Sequence, residues 1–427
     1  MDSNRKTAYY TLIDIEERKA YSNIALNNHI NNGNPDSPAF VRELVYGVLE
    51  NKIYLDYSIG HFIKTPVAKM KVSDLTVLRM GIYQLKFMDS VPEYAAVNES
   101  VILAKRFCSG RDGFINGVLR NFIRKEKQIE LPDRNLNEVD YLSKKYSYEP
   151  WIIELWLGQY DVNFVEELLA AGNATPELVI RINTLKTSRD DLKKRIIAKG
   201  FEATDGYLCG EALHVKGSSL LGGKLFENGM FSVQDESSML AVNMLEPKPD
   251  HLVIDVCAAP GGKSLGMAEK MGNHGQIMAW DIYKRKLEII NTEAKRLGVS
   301  IITTKTWDAT MIDFSMVEKA DRVLVDAPCT GLGVVRRKPE IKYKKLSVDI
   351  KELPKKQLDI LTASSHYLKP NGILVYSTCT ISPYENQMVI SEFLKNNPSF
   401  IKEEALQLLP NINKTDGFFI CKMRKRA

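Results

Sequence analysis

No apolar run in this 427-residue chain approaches the roughly 18 residues a membrane helix needs, and the first residues, Met1-Asp-Ser-Asn-Arg-Lys6, lack the apolar segment of a signal peptide. Both absences point to a cytoplasmic protein with no membrane partner. Cysteine is sparse: Cys108, Cys209, Cys257, Cys329, Cys379 and Cys421 occur without any C-x-x-C spacing. That spacing disfavours zinc sites and disulfide frameworks, so reduced thiols and no metal are expected. Excess charge is also small, at +5, and any nucleic-acid surface must therefore be a local patch. Two phosphate-loop signatures are missing. There is no G-x-G-x-x-G, and Cys257 occupies the place of the first Walker glycine, which disfavours NAD and ATP.

What is present reads as three parts. Residues 1–130 carry apolar positions at three and four spacing, as in Ala8, Leu12, Ile15 and in Leu44, Val48, which predicts an all-α bundle of short helices. Asn116, Arg120 and Arg124 fall four apart and share one face of the last of these helices. His29 and His61 read as ordinary structural residues. A polar, proline-containing stretch near residue 130 is the expected linker. Residues 131–235 read as a linker helix from Pro150 and a small α+β RNA-binding subdomain. Arg181, Asn183 and Lys186 on and after its first strand are candidate phosphate-backbone contacts, a strand edge with polar residues being an equal alternative.

In residues 236–427, apolar strands alternate with helices, the pattern of a doubly wound, Rossmann-like α/β sheet. Five strands are predicted, at Leu252–Cys257, Gln276–Asp281, Ile301–Asp308, Arg322–Asp326 and Gly372–Ser377. Four end at or near an acid. Ligands of open α/β sheets sit outside the carboxyl ends of the strands, so these acids converge on one crevice. The first turn, Cys257-Ala258-Ala259-Pro260-Gly261-Gly262-Lys263, lets backbone approach a ligand, and the helix after it offers amides to a carboxylate. S-adenosyl-L-methionine has a carboxylate and no phosphate. Asp281 is placed to accept from ribose hydroxyls, and Asp308 from the adenine amino group.

Asp326-Ala-Pro-Cys329-Thr-Gly and Ser377-Thr-Cys379-Thr close the fourth and fifth strands. Together with Arg181-Ile-Asn-Thr-Leu-Lys, Val233-Gln-Asp-Glu-Ser-Ser and Asp255-Val-Cys-Ala-Ala-Pro-Gly-Gly-Lys-Ser, in that order, they resemble the bacterial Sun type of 16S ribosomal RNA cytosine-5 methyltransferase, also called the Rsm B family. The first part resembles the helical RNA-binding domain related to the antitermination factor NusB. The resemblance spans nearly the whole chain. It implies transfer of a methyl group to cytosine C5, at cytosine 967 of the small-subunit RNA, with 16S ribosomal RNA, naked or in an early assembling small subunit, as the partner; a monomer is expected. It further implies that Cys379 is the nucleophile, that Cys329 promotes release and that Asp326 holds the base, as well as contacting the cofactor. Cys257 fits a backbone contact with the cofactor. DNA cytosine methyltransferases use the Pro-Cys thiol instead, so the division of labour between the two cysteines rests on the resemblance. The chemistry itself needs a thiolate, because C5 is a poor nucleophile until sulfur adds to C6.

Arg336-Arg337-Lys-Pro-Glu-Ile-Lys-Tyr-Lys-Lys follows the Cys329 loop and is the expected RNA-backbone patch. Two rival readings are a transfer-RNA cytosine-5 methyltransferase, against which the NusB-like part argues, and a non-catalytic ribosome-assembly factor, which has no need of both Cys329 and Cys379.

Overall fold

The computed structural model describes residues 2–343 and 349–427, which form two compact units: Met1–Ala174 with Val335–Lys344, and Thr175–Val334 with Lys345–Ala427. Among the described residues no helix is long and apolar enough to cross a membrane.

The first unit is helical: α1 (Ser3–Arg18), α2 (Ser22–Gly33), α3 (Pro38–Glu50), α4 (Lys52–Gly60), α5 (Val72–Phe87), α6 (Glu93–Phe107), α7 (Asp112–Lys125), α8 (Glu138–Tyr146), α9 (Pro150–Leu157) and α10 (Val162–Asn173). Local chemistry starts several of them. Ser37 accepts from the Phe40 N–H at the head of α3, where Pro38 takes the first helical position. Val41, Leu44, Val45 and Val48 then form its buried stripe. Helix α5 is buried from Asp74 to Gln84 and is the centre of the bundle. Its Arg79 is held by both oxygens of Asp56, at 2.7 Å each, and by Glu16. His29 and His61 make local bonds to Asp14 and to the Tyr57 carbonyl.

The stretch around residue 130 is tied down: the Tyr57 hydroxyl donates to the Glu130 carbonyl and the Tyr54 N–H to Ser147 Oγ. Helices α8–α10 consequently pack in the first compact unit, whose main segment runs to Ala174.

The second unit begins with a small sheet built from β1 (Leu178–Ile182), α11 (Arg189–Ile197), β2 (Glu202–Asp205), β3 (Ala212–Lys216), α12 (Lys224–Glu227) and β4 (Phe231–Val233), in the order β2-β3-β1-β4 with every pair antiparallel. Helix α13 (Glu236–Leu245), capped by Asp235, follows. The large sheet then takes β5 (Leu252–Asp255), α14 (Gly262–Lys270), β6 (Gln276–Asp281), α15 (Lys284–Leu297), β7 (Ile302–Thr306), β8 (Ala320–Asp326), α16 (Asp349–Ser365), β9 (Leu368–Thr378), α17 (Gln387–Asn396), β10 (Phe400–Leu408), α18 (Pro410–Asn413) and β11 (Phe418–Lys425).

Its order is β10-β11-β9-β8-β5-β6-β7. The five predicted strands are parallel, while β11 enters antiparallel beside β9 and carries β10 on its outer edge, so the sheet is mixed. The chain runs outward through β6 and β7 and resumes at β8 on the other side of β5. That reversal opens a crevice at the carboxyl ends of β5 and β8. Apolar clusters cover both faces, one with Trp280, Tyr376 and Phe393, the other with Leu265, Met267 and Leu324.

Candidate active site

The crevice is a cavity of about 330 Å³ lined by Cys257, Ala259, Asp281, Tyr283, Asp308, Asp326, Pro328, Cys329, Lys356 and Cys379 among others. Four of its walls come from the ends of β5, β6, β7 and β8, as the topology requires. At β5, Asp255 is buried and accepts from Ser264 Oγ at 2.6 Å. Burial, opposed by that bond and reinforced by the nearby charge of Asp326, raises its carboxyl to about 7.

The turn after β5 fits close against its surroundings. Gly261 has φ +103°, in the region that favours glycine, and a Cβ there would sit 2.9 Å from Ile290 Cγ1. Helix α14 starts at Gly262, directly after that glycine. Asp281 accepts from the Ala259 and Tyr283 N–H groups at 3.3 and 2.9 Å, which fixes its carboxylate at the cavity wall. Asp308 takes both bonds from Thr310 on Oδ1, and these hold its carboxyl below the usual range.

Lys263 reaches Asp326 at 2.6 Å, and Ser377 Oγ donates to the other oxygen at 2.8 Å. Asp326 is thus anchored to both the glycine turn and β9. Beside it the two sulfurs meet: Cys329 Sγ lies 3.3 Å from Cys379 Sγ, both half-buried and neither in a disulfide. Cys257 is pushed up by burial and the carboxylates of Asp255, Asp326 and Asp281, an environment that disfavours a thiolate there.

Two sequence expectations are corrected. Arg181 and Asn183 cannot touch a phosphate backbone, because both are buried and engaged. Arg181 grips Glu269 through Nε and Nη2 at 2.8 and 3.0 Å, bonds Gln234 and donates to the Gly262 carbonyl at 2.6 Å. It braces the glycine turn from behind. Asn183 donates to the Gly229 and Leu297 carbonyls. Lys186 is exposed, yet its Nζ caps the Asn228 and Arg296 carbonyls, the latter in the last turn of α15.

The basic run after Cys329 also divides. Lys342 is buried, donating to the Glu50 carbonyl and Asn173 Oδ1 at 2.8 Å each, and burial lowers its amine to about 7. The Tyr343 hydroxyl donates to the Leu49 carbonyl. Neither offers RNA a charge or a stacking face. Arg336 and Arg337 are partly exposed in the same segment, and residues 344 and 345 lie outside the described residues.

Sequence reading missed the support under the sulfurs. Glu385, fully buried, accepts from the Thr330 N–H and Oγ1 at 2.8 and 2.6 Å and from Gln357 Nε2 at 3.0 Å. Next to it, Asn386 accepts from Thr378 Oγ1 and donates to the Thr380 carbonyl.

A mixed seven-stranded sheet with an acid-lined crevice at its switch point, a glycine turn and paired thiols defines a methyltransferase domain of the Rossmann-like class, here joined to a helical bundle. Family models agree part by part. Residues 242–424 match the model for 16S rRNA methyltransferase RsmB/F, residues 2–124 the NusB family, and residues 148–219 the ferredoxin-like domain of RsmF/B-like methyltransferases. The chain is 38% identical to the probable ribosomal RNA small subunit methyltransferase B of Bacillus subtilis, over all of this chain and 99% of that protein. It is 30% identical to ribosomal RNA small subunit methyltransferase B of Erwinia tasmaniensis, over 96% of each. Among solved structures, that of PH0851 is similar over 100% of this chain and 99% of its own, with TM-score 0.85 and 26% identity. A methyltransferase homolog protein from Pyrococcus horikoshii covers 68% of this chain and 99% of its own, with TM-score 0.62 and 30% identity. The chain belongs to the RsmB/F family of 16S rRNA methyltransferases.

Proposed function

We propose that the protein methylates C5 of a cytosine in 16S ribosomal RNA, cytosine 967, with S-adenosyl-L-methionine as methyl donor and a covalent bond between Cys379 and C6. The observation that carries this reading is the 3.3 Å approach of the Cys329 and Cys379 sulfurs at the mouth of the crevice.

The crevice fits the cofactor. Among the described residues Asp281 accepts from two backbone N–H groups, which leaves acceptor capacity for vicinal hydroxyls, and Asp308 lies further along the same wall. The glycine turn and the start of α14 present backbone to a carboxylate. Bound there, the cofactor supplies an electrophilic methyl group. This chain's residues do the rest. Cys379 Sγ forms a bond to C6 with its own electron pair, and the C5=C6 π pair becomes the nucleophilic pair at C5. Asp326, fixed by Lys263 and Ser377, is placed to hold the N3 and amino edge of the base as charge develops there. Once C5 carries its methyl group, the C5 proton passes to water and the pair of that C–H bond reforms C5=C6 as the sulfur of Cys379 leaves with the pair of the C6–S bond; Cys329, as a thiol 3.3 Å away, promotes this release by giving the departing sulfur a hydrogen bond.

For RNA contact we assign Arg336 and Arg337, and a groove of about 610 Å³ on the bundle lined by Lys105 of α6 and by Asn116, Arg120 and Arg124 of α7. Arg120 Nε donates to Asn116 Oδ1, which keeps these side chains on one face as the four-residue spacing predicts.

Bisulfite sequencing of ribosomal RNA from a deletion strain, with and without the gene restored, tests the proposal. One small-subunit cytosine loses its methyl mark and regains it on complementation; retention of every small-subunit mark in the deletion strain refutes it.

A further inference from the structure

The two sulfurs are alike in element, distance and exposure, yet the reaction above needs them to differ: one must attack as thiolate while the other waits as thiol. The asymmetry comes from behind them. Thr330 follows Cys329 and Thr380 follows Cys379, and their hydroxyls meet at 2.8 Å. Beneath that contact lies the buried carboxyl of Glu385, bonded by Thr330 through both N–H and hydroxyl, by Gln357, and at 3.4 Å by Thr380. Gln357 also donates to the Pro328 carbonyl at 2.9 Å, so the turn carrying Cys329 is held on two sides. Two of these partners are N–H groups that can only donate, and of the two hydroxyls one gives its hydrogen to the other, which has its own left for the carboxyl. That donor set fits an ionised carboxylate.

We propose that Glu385 is a positioning residue for the thiol pair: it clamps the residue after each cysteine and sets a buried negative charge behind Cys329, so that the proton of the sulfur contact stays on Cys329 and Cys379 is left as the attacking sulfur. The inference rests on the reading of Cys379 as nucleophile. It concerns only which sulfur enters the addition deprotonated; the bonds made and broken are those already given.

The other charged or titratable groups facing the sulfurs do not reverse this ordering. Asp326 of β8 adds negative charge on the same side and is paired with Lys263 of α14. Tyr376 of β9 has its hydroxyl tied to the Glu385 carbonyl, and Lys356 of α16 lines the cavity that both cysteines share. The Cys379 contact, burial and the charges of Glu385 and Asp326 all push the Cys329 thiol well above its ordinary value. Burial raises the Glu385 carboxyl as well, and the bonds from Thr330, Gln357 and Thr380 oppose that rise.

The test is the pH dependence of iodoacetamide alkylation at each cysteine of the full chain, read by peptide mass spectrometry. In the parent the midpoint for Cys379 lies below that for Cys329 by at least about one pH unit, a tenfold difference in thiolate population. Glu385→Gln narrows that gap to less than half, and Glu385→Asp, which keeps the charge, restores most of it. A purely structural role for Glu385 moves both midpoints together or neither. The proposal fails if Cys329 has the lower midpoint in the parent, a result that needs no variant to fold. It fails too if Glu385→Gln, with an unchanged melting temperature, keeps the parent gap. A parallel denaturing gel with RNA containing 5-fluorocytosine separates the two ideas. Absence of an adduct with the parent defeats the cytosine reading and leaves the alkylation result to decide the place of the proton. An adduct with an unchanged gap defeats only the role of Glu385.

Discussion

Arg181 on β1 and Glu269 on α14 form a two-pronged ion pair in the interior of the second unit, with side chains 4% and 3% exposed. The pair ties the small sheet to the helix that begins at the glycine turn. Removing one partner strands a buried charge, which costs about 3–5 kcal/mol, whereas removing both relieves that penalty. Arg181→Met and Glu269→Leu should each lower the urea midpoint strongly, and the double variant should recover much of the loss. RNA affinity measured against salt should keep its slope in any of these variants that folds, because Arg181 is not at the surface.

The cofactor wall gives a sharper handle. Asp281→Ala removes the acceptor proposed for the ribose and should weaken S-adenosylhomocysteine binding by about 1–3 kcal/mol in calorimetric titration. Unaltered affinity would mean that the cofactor lies elsewhere.

Each thiol should fail in its own way. Cys379→Ala cannot bond C6 and should give neither methyl transfer nor an RNA adduct. Cys329→Ala should still add and transfer but release slowly, so a protein–RNA band should accumulate on denaturing gels with radiolabelled RNA. The opposite pattern would reverse their roles.

Asp255 makes stability depend on pH. Its carboxyl is raised in the folded state to about 7, above the value of about 3.9 in an unfolded chain. The protonated form is therefore the one the fold favours. Its contribution is complete below about pH 4 and is lost as pH rises through about 7, a loss of up to about 4 kcal/mol. Asp255→Asn keeps the shape without the titration. Melting temperatures of the variant should fall less than those of the parent between pH 5 and pH 8.

At the surface, Arg336→Ala combined with Arg337→Ala should weaken RNA binding and lower the slope of log affinity against log salt by up to about two. Equal slopes for variant and parent would remove this segment from the RNA interface.

The sequence made the crevice legible because its signals are local. Gln276–Asp281 is a strand from end to end as read, and Arg322–Asp326 is lengthened only at its start, since each is an apolar run closed by an acid. Strand β10, Phe400–Leu408, was not visible because its middle, Ile401 to Ala405, is exposed: it is a charged edge strand with no buried period to betray it. Its neighbour β11 ends in Lys422-Met-Arg-Lys425, which in sequence looks like an ordinary basic terminus. Lys422 and Arg424 are instead in ion pairs with Glu246 and Glu403, partners far away in sequence. The same blindness to distance explains Arg181, whose partner lies 88 residues on. Glu385, in Tyr384-Glu385-Asn386, looks like any acid in a polar turn. Only the folded chain shows it under two cysteine loops.

The excursion of Val335–Lys344 into the helical unit has a consequence for how this protein can be taken apart. A cut at Ala174 separates the units on paper, but one polypeptide leaves the catalytic sheet, contributes Ile341 and Lys342 to the interior of the bundle, and returns. The bundle expressed as residues 1–174 alone lacks a piece of its own core, and the remainder carries that piece with nothing to bury it. The two halves are thus heritable only together: a gene split or a domain exchange between relatives would have to carry the ten-residue excursion along with the first 174 residues to leave either half intact.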